Sequence, residues 1–295
     1  MPGQRARELG IVVGSLPGKL IGATQLSELG VIETPIVLTA TLSAFRAADA
    51  LVSYLLALPG NGDLISVNPV VGETNDGFLS DIRARPVTAQ HVLAALSGAR
   101  GGPVAEGNVG AGTGTAALGF KAGIGTASRI AALPGGQRFV LGALVQANFS
   151  GCLTVLGVPV RPEGALAGQP GYREGAEPSG NSCMIIVGTD AALDARQLTR
   201  AARRAVFALG RVGSDFRHGS GDYAIAFATV RGQAMPDAHL NPVFTAVQEC
   251  VEEAVLNSLL MAATTAGHLG HIRYAVPHEY LLGACRRAGV LAPVR

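Results

Sequence analysis

Gly180-Asn181-Ser182-Cys183-Met184-Ile185-Ile186-Val187-Gly188-Thr189-Asp190 is the stretch whose reading organises this chain. A polar run of small residues, Glu177-Pro178-Ser179-Gly180-Asn181, stops abruptly, and the apolar segment after it reads as a strand buried on both faces. A hydroxyl stands at the junction. Were the backbone cut between Asn181 and Ser182, that hydroxyl would belong to a new N-terminal residue carrying its own free amine. An α-amino group titrates at about 7.7 to 8.0, which suits a general base near neutrality. A hydroxyl paired with an N-terminal amine is an established nucleophile arrangement. Gly-Asn-Ser ahead of an apolar run is also what an ordinary loop entering a strand looks like, so other residues have to decide.

The composition favours one large domain over 1–295. Hydrophobic residues make up 48%, charged residues only 15%, and there are 40 glycines, a balance that suits packed layers with close backbone approaches. So little surface charge points to a homo-oligomer. The net charge of +2 has no basic cluster denser than Arg200-Ala201-Ala202-Arg203-Arg204, which periodicity assigns to a solvated helix face, so no nucleic acid partner is expected. Cys152, Cys183, Cys250 and Cys285 form no Cys-x-x-Cys pair, and the six histidines form no His-x-x-x-His pair. The cysteines read as buried hydrophobes in a reducing compartment, and no metal or other cofactor is expected. With no apolar signal core at Met1 to Glu8 and no run near the roughly 20 residues that span a bilayer, no membrane role is expected and the cytoplasm is the default location.

Along the chain, residues 1–34 are weakly patterned. Pro35 to Ala40 reads as a strand, followed by a helix from about Leu42 to Leu58 with Phe45, Ala48, Leu51, Val52 and Leu55 on its inner face. Val67 to Gly77 ends in the polar cluster Glu73-Thr74-Asn75-Asp76-Gly77, and Thr88 caps a short helix. The loop Gly107 to Ala117 contains Gly112-x-Gly114-x-x-Ala117, but no hydrophobic strand precedes it and no acidic residue follows at dinucleotide spacing, so a nucleotide is rejected. Phe120 to Ala132 and Phe139 to Phe149 make a hairpin about Pro134-Gly135-Gly136, with Asn148 at the end of its second arm. Pro159 to Gly180 carries four prolines and no periodicity, which reads as a mobile, cleavable linker just before Ser182. Beyond the Ser182 strand come a helix capped by Asp194, the turn His218-Gly219-Ser220-Gly221-Asp222, a strand from Tyr223 to Val230, and helices from about Pro242 to Thr265 and Pro277 to Arg287.

Several of these segments in this order resemble the DmpA-like family of L-aminopeptidase/D-esterases and β-peptidyl aminopeptidases. The resemblance runs through Gly98 to Gly110, Gly119-Phe120-Lys121-Ala122-Gly123-Ile124-Gly125-Thr126-Ala127-Ser128-Arg129, Leu144 to Phe149, Ser182 to Asp190, Gly219-Ser220-Gly221-Asp222 and the C-terminal helices. It implies an α+β fold, a four-layer αββα sandwich resembling N-terminal nucleophile hydrolases. It further implies one precursor split between Asn181 and Ser182 into an α chain, 1–181, and a β chain, 182–295.

The resemblance also implies roles. Ser182 is the nucleophile, Ser220 and Asp222 orient its hydroxyl and amine, and Asn148 donates to the oxyanion. Glu73 binds the free amine of the substrate, and Asn75 stands in the substrate-binding motif where the family commonly has tyrosine. The family carries several dozen further residues between a start resembling Arg5 to Ile11 and the segment near Ile32, so fewer N-terminal strands are expected here. The expected activity is a self-processing serine aminopeptidase or amidase acting on small peptides, amides or esters. The alternatives are an acyltransferase similar to ornithine acetyltransferase, against which Ser182 argues because those enzymes use threonine, and a shortened non-catalytic relative.

Overall fold

The apolar run Met184 to Val187 forms the middle of strand β12 (Asn181–Thr189). It pairs antiparallel with β9 (Arg138–Asn148) on one side and parallel with β13 (Ser220–Ala228) on the other. Both edges are paired and both faces covered, which is why its hydrophobicity is unbroken rather than alternating. The computed structural model describes residues 7–13, 18–172 and 181–291, with side chains described except at positions 7–9, 12, 13, 181 and 220.

Around β12 the main sheet runs β3 (Val31–Ile32), β1 (Arg7–Val13), β13, β12, β9, β8 (Ile124–Ala132). A second sheet has three strands in the order β2 (Leu20–Ile21), β5 (Val70–Thr74), β4 (Ile36–Ala40). Short pairs complete the strands: β6 (Ala116–Ala117) with β7 (Phe120–Lys121), β10 (Thr154–Val155) with β11 (Val158–Pro159), and β14 (Thr265–Ala266) with β15 (Ile272–Arg273). The helices are α1 (Ala23–Leu29), α2 (Ala44–Leu56), α3 (Ala89–Gly98), α4 (Pro162–Ala165), α5 (Ala195–Arg211), α6 (Asn241–Leu260) and α7 (His278–Arg287).

Three separate apolar cores show how these elements stack. The largest joins Leu198, Ala201 and Ala205 of α5 and Val247 and Val251 of α6 to Val145, Cys183, Ile185, Ala224 and Ala226 on one face of the main sheet. The second lies between the sheets, where Met184, Tyr223 and Ile225 meet Leu20 and Val70. The third lies under α2 and α3, where Ala44, Ala47, Leu51 and Val92 cover Val71. Three interlayer cores mean four layers: α5 and α6, the six-stranded sheet, the three-stranded sheet, then α2 and α3. The expected αββα sandwich is present, with a second sheet of only three strands.

The helices approach the main sheet so closely that two strand positions have no room for a side chain. A Cβ on Gly10 would fall 1.9 Å from the Thr199 nitrogen of α5, and one on Gly125 would fall 1.9 Å from the Ala254 carbonyl oxygen of α6. The abundant glycine is thus partly a packing device. At the start of α5, Asp194 Oδ1 accepts from the Gln197 amide at 2.6 Å while Gln197 Oε1 accepts from the Asp194 amide. Such a capping box stabilises a helix by about 1 kcal/mol.

Residues 1–34, weakly patterned in sequence, nevertheless hold β1, β2, α1 and β3, and β1 lies inside the main sheet. Their elements are short, so their stability comes from tertiary contacts that no periodicity announces. Three expectations need correction. In α2 the buried stripe is Ala44, Ala47, Ala48, Leu51 and Leu55, while Phe45 is 67% exposed. Small alanines let the helix sit close to its sheet, and the expected stripe was displaced toward the larger side chain. The stretch expected to be a linker from Pro159 is anchored as far as Tyr172, with Val160 and Leu166 in the main core. Its remainder, 173–180, lies outside the described residues. The strand expected from Tyr223 already begins at Ser220.

Candidate active site

Ser182 sits where β12 enters the main sheet. It stands opposite Asn148 at the end of β9 and opposite Gly221 of β13. Strand alternation sorts the neighbours by face. Met184 and Tyr223 belong to the core between the sheets, so Ser182, two residues before Met184, and its partner Asn148 face that way as well. Cys183 belongs to the helix-side core, and Asp222 is its direct partner in the β12–β13 ladder. Ser182, Asn148 and Asp222 are all buried. Burial and the neighbouring Asp222 carboxylate push the Cys183 thiol well above its usual range, which keeps it protonated. Ser220 pairs with Asn181, and the side chains of both lie outside those described.

Asn148 is fixed from two loops. Its Oδ1 accepts from the Ala116 amide at 3.1 Å, and its Nδ2 donates to the Asn75 carbonyl at 3.0 Å. An amide presents two donors and one acceptor oxygen, so these bonds decide which way its NH2 points. Asn75 contributes through its backbone. Its own side chain is exposed and closes a local turn, with Oδ1 accepting from the Gly77 amide at 3.0 Å.

The loops are held by buried polar groups that carry only a weak signal in the sequence. Gln146, on Ser182's face of β9, donates from Nε2 to Thr74 Oγ1 at 2.6 Å and also to the Thr39 and Ala111 carbonyls, joining the two sheets to the glycine-rich loop. Lys121 is fully buried, with Nζ on the Gly112 and Ala122 carbonyls. Burial lowers its pKa to about 8, and the Asp76 carboxylate only partly offsets that. Asp76 in turn accepts from Ser80 Oγ at 2.6 Å, and its pKa is raised by burial. A Cβ on Gly112 would lie 2.5 Å from the Ile124 nitrogen, so the glycine-rich loop serves close backbone packing. The signal for both residues was one polar side chain inside an apolar run, Gln146 in Leu144 to Ala147 and Lys121 in Phe120 to Ala122.

Glu73 lies at the same end of the three-stranded sheet. Its Oε1 accepts from the Lys19 amide at 2.8 Å, with Lys19 Nζ at 3.8 Å. Its Oε2 is buried and has no hydrogen-bond partner among the described residues. Burial, with the Glu73 carboxylate as the smaller cause, raises the pKa of Tyr223.

A cavity of about 840 Å³ opens beside this arrangement. Ala116, whose amide holds Asn148, and Phe149, which follows Asn148, belong to its wall. Phe78, His271, Arg273 and Tyr274 form another part. His271 stacks on Phe78 with ring centroids 4.3 Å apart and contacts the Phe78 carbonyl through Nδ1. Among the described residues no group of three or more His, Cys, Asp and Glu gathers as metal ligands, and no helix is long and apolar enough to cross a membrane.

Residues 9–273 match the model of peptidase family S58. The beta-peptidyl aminopeptidase BapA of Sphingosinicella microcystinivorans is 36% identical over an alignment covering 94% of this chain and 75% of that protein. The crystal structure of the PH0078 protein from Pyrococcus horikoshii OT3 superposes with a TM-score of 0.88 at 43% identity, covering 97% of this chain and 82% of that one. The L-aminopeptidase D-Ala-esterase/amidase of Ochrobactrum anthropi, described as a prototype for the serine aminopeptidases and a new variant of the Ntn hydrolase fold, superposes with a TM-score of 0.86 at 34% identity. It covers 97% of this chain and 82% of its own.

Proposed function

The chain belongs to peptidase family S58, and on that premise we propose that it cuts itself between Asn181 and Ser182 and then acts as a serine aminopeptidase or amidase on small peptides, amides or esters. In the first reaction the Ser182 hydroxyl attacks the Asn181 carbonyl carbon, the peptide C–N bond breaks, and the released nitrogen becomes the Ser182 α-amine. Water then hydrolyses the resulting ester. Asn181 leaves as a carboxylate, and Ser182 keeps both hydroxyl and amine.

In the second reaction the α-amine takes the hydroxyl proton as Ser182 attacks the scissile carbonyl, then passes it to the departing amine. Water releases the acyl group from Ser182. The Asn148 amide donates to the oxyanion, a contribution that elsewhere is worth about 2.7 to 4 kcal/mol. The nitrogen of Ser182 lies in the plane of the sheet, so Asp222, from the face opposite the hydroxyl, holds the ammonium without competing for the nucleophile. Ser220 assists it. The buried Oε2 of Glu73 receives the ammonium of the substrate, which makes the enzyme an exopeptidase.

The observation that carries this reading is the pairing of Ser182 with Asn148, whose amide is held by backbone groups from two different loops. No observation favours the acyltransferase alternative. Two experiments test the reading: the intact mass of the purified protein, expected as chains 1–181 and 182–295, and hydrolysis of a simple amino-acid amide. A full-length mass after prolonged incubation, together with an unhydrolysed amide, overturns it. We also assign the protein to the cytoplasm as a homo-oligomer of αβ units, with exposed apolar side chains such as Phe45 and Ile65 as candidates for the subunit contact. Light scattering of the purified protein checks the assembly.

A further inference from the structure

In the cavity beside Asn148, Arg273 carries an edge that no described residue meets. It enters from β15 and lays its guanidinium over the Phe78 ring, 3.8 Å from the centroid, and Phe78 is itself stacked on His271. The stack fixes the plane of the guanidinium. Its Nε and Nη2 are buried, and neither has a hydrogen-bond partner among the described residues. By contrast, Arg217 on the same cavity already faces Asp215, with Nε 2.5 Å from Oδ2. Burial lowers the pKa of Arg273 to about 10, so the group is still a cation at neutral pH.

Nε and one Nη form one edge of a guanidinium, the edge that takes both oxygens of a carboxylate in parallel bonds. A planar cation held by stacking, with that edge desolvated and unmet by any described residue, is costly unless a ligand meets it. The cavity is the right place for a substrate group, because Ala116 and Phe149 connect its wall to Asn148.

We infer that the Nε and Nη2 edge of Arg273 receives a substrate carboxylate, so that the enzyme favours short peptides carrying a free carboxylate near the scissile bond. This rests on the aminopeptidase reading. The carboxylate has two sources, the C-terminus of the departing amino acid or an acidic side chain of the first residue, and the substrates below separate them.

Four substrates are compared on self-cleaved enzyme: an amino-acid amide, a dipeptide with the same first residue as free acid, the same dipeptide as C-terminal amide, and an amino-acid amide with an acidic first residue. The wild type is expected to show kcat/KM about tenfold or more in favour of one carboxylate-bearing substrate over its neutral counterpart, as for an added charge-assisted pair. In Arg273→Gln that ratio should fall to near one while turnover of the neutral amino-acid amide stays within about threefold, and Arg273→Lys should keep part of the preference. Preference for the free-acid dipeptide assigns the site to the C-terminus, and preference for the acidic first residue assigns it to the side chain. Equal rates for charged and neutral substrates in the wild type, or a ratio unchanged in Arg273→Gln, overturn the inference. If Arg273→Gln does not fold, the Lys variant carries the comparison. If even the amino-acid amide is untouched, the aminopeptidase reading fails separately. Calorimetric titration of both pairs, the dipeptide acid with its amide and the amino-acid amides with acidic and neutral first residues, then decides: tighter binding of a carboxylate-bearing ligand that is lost in the Arg273 variant supports the site, and equal binding within both pairs overturns it.

Discussion

Asn148 stands directly across the β9–β12 ladder from Ser182, and its side-chain amide is tied at one end to the Ala116 amide and at the other to the Asn75 carbonyl. Ser182 and Asn148, proposed as nucleophile and oxyanion donor, are thereby set on adjacent strands of one sheet. Because the β9 end and two loops share the fixing of Asn148, its amide is placed before any substrate arrives, which is what the proposed role in stabilising a transition state requires.

Ser182→Ala is expected to abolish self-cleavage, leaving a single full-length mass. Cys183→Ala is expected to cleave normally, since the Cys183 thiol faces the helix-side core and is held protonated by burial and Asp222. Mass spectrometry of both variants checks this, and cleavage lost only in the Cys183 variant would move the nucleophile.

Asn148→Ala is expected to lower kcat by about 10² to 10³, the usual cost of one oxyanion donor, with a smaller change in KM. The same change removes the ties to Ala116 and Asn75, so the comparison includes a thermal unfolding midpoint. A variant that keeps wild-type kcat takes Asn148 out of the oxyanion role.

Glu73→Gln is expected to reduce kcat/KM for substrates with a free amine by about 2 to 5 kcal/mol, as for truncating one partner of a buried charge pair. N-acetylated substrates, poor for the wild type, should be no poorer for the variant. Acetylated and free substrates hydrolysed equally fast by the wild type would remove Glu73 from amine recognition.

Asp222→Asn should impair turnover more than folding when measured on protein already cut at Ser182. A role confined to holding its own turn would appear as a lower unfolding midpoint with near-normal turnover per folded molecule. Ser220→Ala should follow the same pattern. Wild-type hydrolysis of an amino-acid amide by cleaved Asp222→Asn protein counts against a catalytic carboxylate.

Lys121 gives a signed pH dependence of stability. Its pKa is lowered from 10.5 to about 8 in the folded protein. Between those values the unfolded chain holds a proton that the folded one has released, so this group makes stability rise with pH across the window. The shift corresponds to roughly 3 kcal/mol of cost, present in full below about pH 8 and gone above about pH 10.5. Urea unfolding of Lys121→Met and its parent, both in an uncut Ser182→Ala background, isolates the effect. The difference between them should move in the parent's favour as pH rises, and a constant difference would show that Lys121 titrates normally.

Much of the local structure was legible in the chain. The hairpin about Pro134-Gly135-Gly136, the Thr88 and Asp194 helix starts and the buried strand after Ser182 all appear where turn residues, caps and apolar runs place them. Of the expected α2 stripe, Ala48, Leu51 and Leu55 are buried, but Phe45 is exposed and Ala44 and Ala47 take its place, because alanine is a weak hydrophobic signal yet packs closest.

From the sequence alone came a hydroxyl at the mouth of a buried strand, the helix and strand boundaries near it and, through several motifs in order, the four-layer class. Tertiary structure alone decided what faces what. Side chains alternate with period two, so a slip of one residue between strands would exchange every face, and no local pattern sets the register between segments far apart in the chain. That register put Asn148 opposite Ser182 and Asp222 beside Cys183. Layer packing then buried Lys121 and left one edge of Arg273 without a partner among the described residues, because desolvation depends on which layers close over a side chain, not on its neighbours in sequence.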